Sequence, residues 1–254
     1  MHRNDFSFNK HLTTITYELL GPYHLRSNHC MQNSRLQTFQ RSVKVFFQML
    51  FWTPVISLSL LLVYNTLPYF SFSKEFSFIE ERSFLFQSKF YSTCFYTHIL
   101  AGSICITTAL IQFSRYILKK SKAIHRWSGK LYVFVVLFIG APTGLYMSFF
   151  AKGSFWERML FIFMAGFWFF TTLNGLTAIH KKNILAHKIW MIRSYAMAMT
   201  AVTFRVYHIF FFLMDWDHLE NYELSLWISV IGNMLFAEWI IYCKSKNYLR
   251  SFAI

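Results

Sequence analysis

Apolar residues in this chain arrive in six runs, separated by short polar connectors. A run of about twenty residues at 1.5 Å rise per residue spans the roughly 30 Å of a bilayer's hydrocarbon. The pattern therefore predicts transmembrane helices at about Val45–Leu67, Phe90–Phe113, Leu131–Phe150, Arg158–Ile179, Lys188–Met214 and Leu224–Cys243. Backbone amides find no water in the bilayer core, and no alternating barrel pattern competes, so each run is expected as a helix. The expected fold is all-α: a polytopic bundle of six transmembrane helices over residues 43–245. A polar segment, 1–42, precedes it and is expected to be poorly ordered; a short tail, 246–254, follows. The first forty residues hold no long apolar run, so a cleavable signal peptide is not expected. Met31 opens M-Q-N-S-R-L just before the first span, so the natural start is read at either Met1 or Met31.

Polar positions inside the spans are the informative ones, because a central charge costs about 2.5 to 3.5 kcal/mol to insert. In the fifth span His187, Met191, Ser194, Ala198, Ala201, Arg205 and His208 alternate at spacings of four and three, which puts them on one helix face. In the second span His98, Gly102, Cys105, Ala109 and Gln112 form a matching stripe of small and polar residues. Such stripes serve equally as close packing seams between helices. Rise per residue sets His98 roughly 12 Å below the outer end, with Arg205 and His208 about 13 and 9 Å below theirs, in one layer. At the other end Arg193 and Glu238 lie at similar depth, where a buried ion pair would neutralise both. His125 and His187 each stand just before an outward-running span, placed to converge at the inner interface. In the third span the run G-A-P-T-G from Gly140 predicts a bend or hinge, because proline frees a backbone carbonyl.

Composition agrees with the pattern: 55% of residues are hydrophobic and only 14% charged, against roughly 25% charged in a soluble domain. The net charge of +14 would suit nucleic acid were the cations not gathered in connectors such as R-Y-I-L-K-K-S-K-A-I-H-R, flanking segments that need lipid. Nucleic acid is excluded as a partner and the lipid bilayer expected. Nineteen Lys and Arg residues fall on one side of the predicted spans and five on the other, and eight of eleven acidic residues lie on the poorer side. The positive-inside rule then places both termini in the cytoplasm, and a bacterial inner membrane is the expected location. Cys30, Cys94, Cys105 and Cys243 show no paired spacing and are read as packing residues.

The order of the motifs resembles a family of mostly bacterial six-helix membrane proteins known as a domain of unknown function. The likeness runs from about Tyr91 to Tyr242: H-I-L-A-G at His98, I-Q-F at Gln112, H-R-W-S-G-K-L-Y at His125, G-L-Y at Gly144, A-H-K-I-W-M-I-R-S-Y-A, A-V-T-F-R ending at Arg205, and A-E-W at Glu238. The resemblance implies that His98, His125, His187, Arg193, Arg205 and Glu238 belong to the family pattern, and that His180 and His208 are additions. It implies a fold and no activity.

Three function classes stay open. In the first, broadly like cytochrome b561, His98 and His208 clamp the iron of a haem b and arginine meets a propionate. The 21 residues from His187 to His208, about 31 Å along a helix, are longer than a compact two-haem stack wants. In the second, a transporter or small-molecule-binding protein, His98 and Arg205 form an outer anion or quinone site and His125, His187 and Arg193 an inner one. In the third, an accessory or assembly subunit, the polar seam binds another membrane protein or a second copy. Soluble-type catalysis is not expected, since no nucleophile elbow, P-loop or metalloprotease motif occurs; an enzyme embedded in the membrane stays open.

Overall fold

The computed structural model describes residues 39–43, 45–72 and 76–250. The reading of 1–38 as poorly ordered, and the choice of Met31 as start, lie outside these residues, as do Cys30 and the last four residues of the tail. Six helices are long and apolar enough to cross a membrane: α1 (Phe39–Ser71), α2 (Lys89–Phe113), α3 (Lys122–Ser148), α4 (Phe155–His180), α5 (Ile184–Leu213) and α6, apolar over His218–Lys244 and helical to Arg250. No strand occurs among the described residues. This is the all-α, multi-pass architecture that the apolar runs predict.

The helices overrun the predicted apolar spans, α3 most of all, beginning at Lys122 rather than near Leu131. Its first turns are amphipathic, and polar side chains there disturb neither the helix nor an interfacial position. Local caps fix the starts. Ser88, Ser121 and Asn183 each accept a hydrogen bond from a backbone N–H three residues on, and Ser154 with Glu157 forms a capping box. His125 and His187 consequently sit in the first turns of α3 and α5, each four residues after its cap, rather than ahead of the helices.

Two compact units divide the chain, at Val55 and Ile56. Within the first, residues 39–43 and 45–55 are helical, and Phe46, Phe47, Met49 and Leu50 are all exposed. In the second, Leu62 of α1 packs with Ile106 of α2 and Val202 of α5, and Thr66 meets Ser103 at 3.0 Å. The main core joins α2 to α3 through Ala101, Cys105, Ala109, Tyr132, Val135 and Val136. Cys94 and Cys105 are buried free thiols, as a packing role requires.

Hydrogen bonds between helices replace the hydrophobic drive that lipid tails remove. Tyr132 Oη lies 2.8 Å from Ser194 Oγ, which lies 2.7 Å from Thr172 Oγ1. Trp168 Nε1 donates to the same tyrosine oxygen at 3.2 Å. This network ties α3, α4 and α5 together where Ser194 and Thr172 are fully buried. Replacing Ser194 with Ala is expected to cost about 0.6 to 1.7 kcal/mol, measured as unfolding by SDS in mixed micelles.

Candidate functional site

Around Pro142 the third helix departs from regular α geometry. Val136–Gly140 forms a wider π turn, in which Ala141 N–H bonds back to Val136 O. Proline brings no N–H, so a carbonyl in the preceding turn loses its donor. Side chains satisfy the carbonyls beside it: Thr143 Oγ1 donates to Ile139 O at 2.6 Å, and His98 Nδ1 from α2 stands 3.1 Å from Gly140 O and 3.1 Å from Thr143 Oγ1. Gly144 completes the seat. A Cβ there would come within 2.9 Å of His98 Cε1, closer than side chains pack. The G-A-P-T-G run, with the π turn before it, seats one imidazole.

Next to His98 the bundle is hollow. A cavity of about 340 Å³ lies among α2, α3, α4, α5 and the start of α6, in the size range of small-molecule sites. Its wall is mostly apolar and aromatic, with Tyr91, Phe161, Trp168, Phe204 and Tyr222 prominent. Into this wall are set His98, Arg205, Arg82 and Lys152, and among the described residues no carboxylate lines it. Arg205 is exposed; its Nη1 donates to Ala201 O of its own helix at 2.7 Å, and no described carboxylate pairs with it.

Arg82 comes from the connection between α1 and α2, which carries two short helical turns, Ser77–Glu80 and Ser83–Phe86. Its Nη1 donates to Phe150 O at 2.8 Å while its guanidinium lies 4.9 Å from the centre of the Phe78 ring. Lys152, from the connection between α3 and α4, reaches Glu81 at 3.5 Å. Sequence reasoning counted Arg82 and Lys152 only as loop charges. Their nearness to His98 depends on two connections folding over one end of the bundle, which no local pattern records.

His98 and Arg205 thus share a chamber. His208, proposed as the second iron ligand, does not line it. Its ring stacks on Phe204 at 5.5 Å and lies 6.0 Å from that of His218, and its Nδ1 is buried with no partner among the described residues.

At the opposite end, His125 and His187 lie within electrostatic reach of each other. His187 Nδ1 is 2.8 Å from Gly175 O, and the His125 backbone carbonyl accepts from Gln112 of α2. His125 Nδ1 is buried without a partner. Arg193 and Glu238 form a bidentate pair, Nε to Oε1 at 2.6 Å and Nη2 to Oε2 at 2.9 Å, with the guanidinium 4.7 Å from the centre of the Trp190 ring. The pair lies on the flank of the bundle, with the Glu238 side chain 52% exposed, rather than in its interior. Mutual neutralisation is what makes that placement tolerable beside lipid.

A membrane-embedded helical bundle enclosing a basic, largely apolar chamber defines the class of this protein. The chain belongs to the family of predicted membrane proteins designated DUF2306, which matches residues 95–241. The match takes in the whole chamber wall except Phe78, Arg82 and Tyr91, and it agrees with the resemblance carried by the His98, His125, His187 and Glu238 motifs. No curated protein and no solved structure matches the chain significantly.

Gly144→Ala tests the seat. The added methyl is expected to displace the His98 ring, lower stability by about 1 to 3 kcal/mol, and shift the Nδ1 resonance of histidine-labelled protein away from its hydrogen-bonded position. An unchanged resonance would mean that the ring is not held there.

Proposed function

We propose that this protein binds a small organic anion within the membrane, as a binding or transport protein, and that the chamber bounded by His98 and Arg205 is its site. The reading rests on the chamber wall, where Arg82 and Arg205 meet no carboxylate among the described residues and Lys152 meets only Glu81, which does not line the chamber. An unpaired cation beside apolar surface is costly, and an anionic ligand offsets that cost with charge-assisted hydrogen bonds. Aromatic and methionine side chains around it suit an apolar body. The haem reading gains less from the geometry, because His98 and His208 do not face one chamber.

In this proposal both termini are cytoplasmic, the location is a bacterial inner membrane, and the chamber lies in the outer half. The nineteen-to-five distribution of basic residues supports it. The chamber takes Arg82 and Lys152 from two connections on the side that holds eight of the eleven acidic residues.

Benzoate is a suitable probe, with benzyl alcohol as its neutral control. Benzoate is expected to raise the melting temperature of the detergent-purified protein, and benzyl alcohol is not. Arg205→Ala should weaken benzoate roughly tenfold to a hundredfold, the scale of one charged hydrogen bond. Equal stabilisation by the alcohol would overturn the anion reading. For orientation, a C-terminal fusion to a reporter active only in the cytoplasm should be active; silence of a fully expressed fusion would reverse the topology.

A further inference from the structure

The hydrogen bonds around His98 fix its tautomer. Gly140 O can only accept, and the one hydroxyl hydrogen of Thr143 is already committed to Ile139 O at 2.6 Å. Towards His98, Thr143 Oγ1 is therefore an acceptor as well. Both atoms lie 3.1 Å from Nδ1, so Nδ1 carries the proton and is shared between them. Nε2 is left with a lone pair and no partner among the described residues. A second proton on this ring would add a fourth cation beside Arg82, Lys152 and Arg205. Among the described residues the other titratable groups of the chamber are Tyr91, Tyr222 and Cys105, and no carboxylate faces the imidazole. The neutral form with the proton on Nδ1 is the one this chamber favours.

Nε2 is therefore an acceptor in a chamber otherwise supplied with donors. Arginine and lysine only donate, and each tyrosine hydroxyl has a proton to give. An anion without a proton of its own would answer the donors, displace water and leave Nε2 unpaired, and an acceptor so covered costs more than a hydrogen bond returns. A ligand that also brings an O–H or N–H satisfies both.

We propose that the ligand is a hydroxylated organic anion, its negative group meeting Arg205 and its hydroxyl donating to His98 Nε2, so that His98 is the residue selecting for the hydroxyl. This rests on the anion reading of the chamber and adds the class of ligand. The selection follows a general pattern in which a site built to hydrogen-bond a ligand hydroxyl rejects the analogue without it. No proton needs to leave the ligand; the O–H bond stays intact.

The probes are benzoate, the three hydroxybenzoate positional isomers and their methoxy ethers, titrated against the detergent-purified full chain. The positional series presents the hydroxyl at three different separations from the carboxylate, so that one of them can reach Nε2 while the carboxylate meets Arg205. At least one hydroxybenzoate is expected to bind about tenfold more tightly than both benzoate and its own methoxy ether. In His98→Phe the ratio of hydroxybenzoate to benzoate affinity should fall to about one, whatever happens to benzoate affinity itself. The preference should persist in His98→Gln, whose amide can donate to Gly140 and still offer an oxygen. In the unaltered protein labelled with ¹⁵N-histidine, the Nε2 resonance of His98 should move with the preferred isomer and stay still with its ether, a readout that stands even if His98→Phe does not fold. Benzoate binding with no gain from any hydroxyl, or a gain that survives His98→Phe, would sink the role of His98 and leave the anion chamber standing. If no member of the series binds, both readings fall.

Discussion

The architecture turns on a backbone requirement. Inside hydrocarbon every carbonyl and amide must be satisfied by the chain itself, and Pro142 in α3 breaks that economy by lacking an N–H. The π turn at Val136–Gly140 and the hydroxyl of Thr143 repair part of the helix from within. His98 adds a partner from α2, and by doing so it crosses between two helices and stands at the edge of a void. The Gly140 carbonyl and Thr143 thus orient an imidazole, assign its proton and place its free nitrogen. Gly144 supplies the clearance without which the ring could not lie there.

Charge distribution gives the rest of the chamber its character. Glu157 is spent on its own helix start and on Trp227, whose Nε1 donates to it at 3.0 Å. Glu238 is held by Arg193 at the other end, and Glu81 by Lys152 across two connections. Each of these carboxylates is engaged where it stands, and none lines the chamber. Arg205 is left with a carbonyl of its own helix. An excess of positive charge beside aromatic walls at low dielectric is a stronger attractor for an anion than the same charges at a surface in water.

Much of this was legible in the sequence, because membrane spanning imposes a rule that single runs obey. The six helices and the common layer of His98 and Arg205 follow from periodicity and rise, and the likeness of α2 to α6 to a known family from its motifs. Arg193 and Glu238 were set at one depth by the same arithmetic, although depth alone did not say which side of the bundle they face. The parts that escaped depend on rotation about helix axes and on the path of connections. His208 has the same depth as His98 but turns towards Phe204 and His218. Arg82 and Lys152 reach the chamber only because their loops cover it. The overrun of α3 to Lys122 was missed because an apolar-run criterion stops where hydrocarbon stops, whereas a capped amphipathic helix continues into the interface.

Positions 98 and 144 are, in consequence, a single inherited choice rather than two. A side chain at 144 would force the ring at 98 to shift, and a smaller residue at 98 would leave the Gly140 carbonyl without this partner while making room at 144. Substitutions that arise separately at either place meet a barrier that a joint exchange would avoid. Divergent chains built on this seat should therefore keep the histidine–glycine combination intact or abandon both members together, and the second case would mark a chamber that has given up its imidazole.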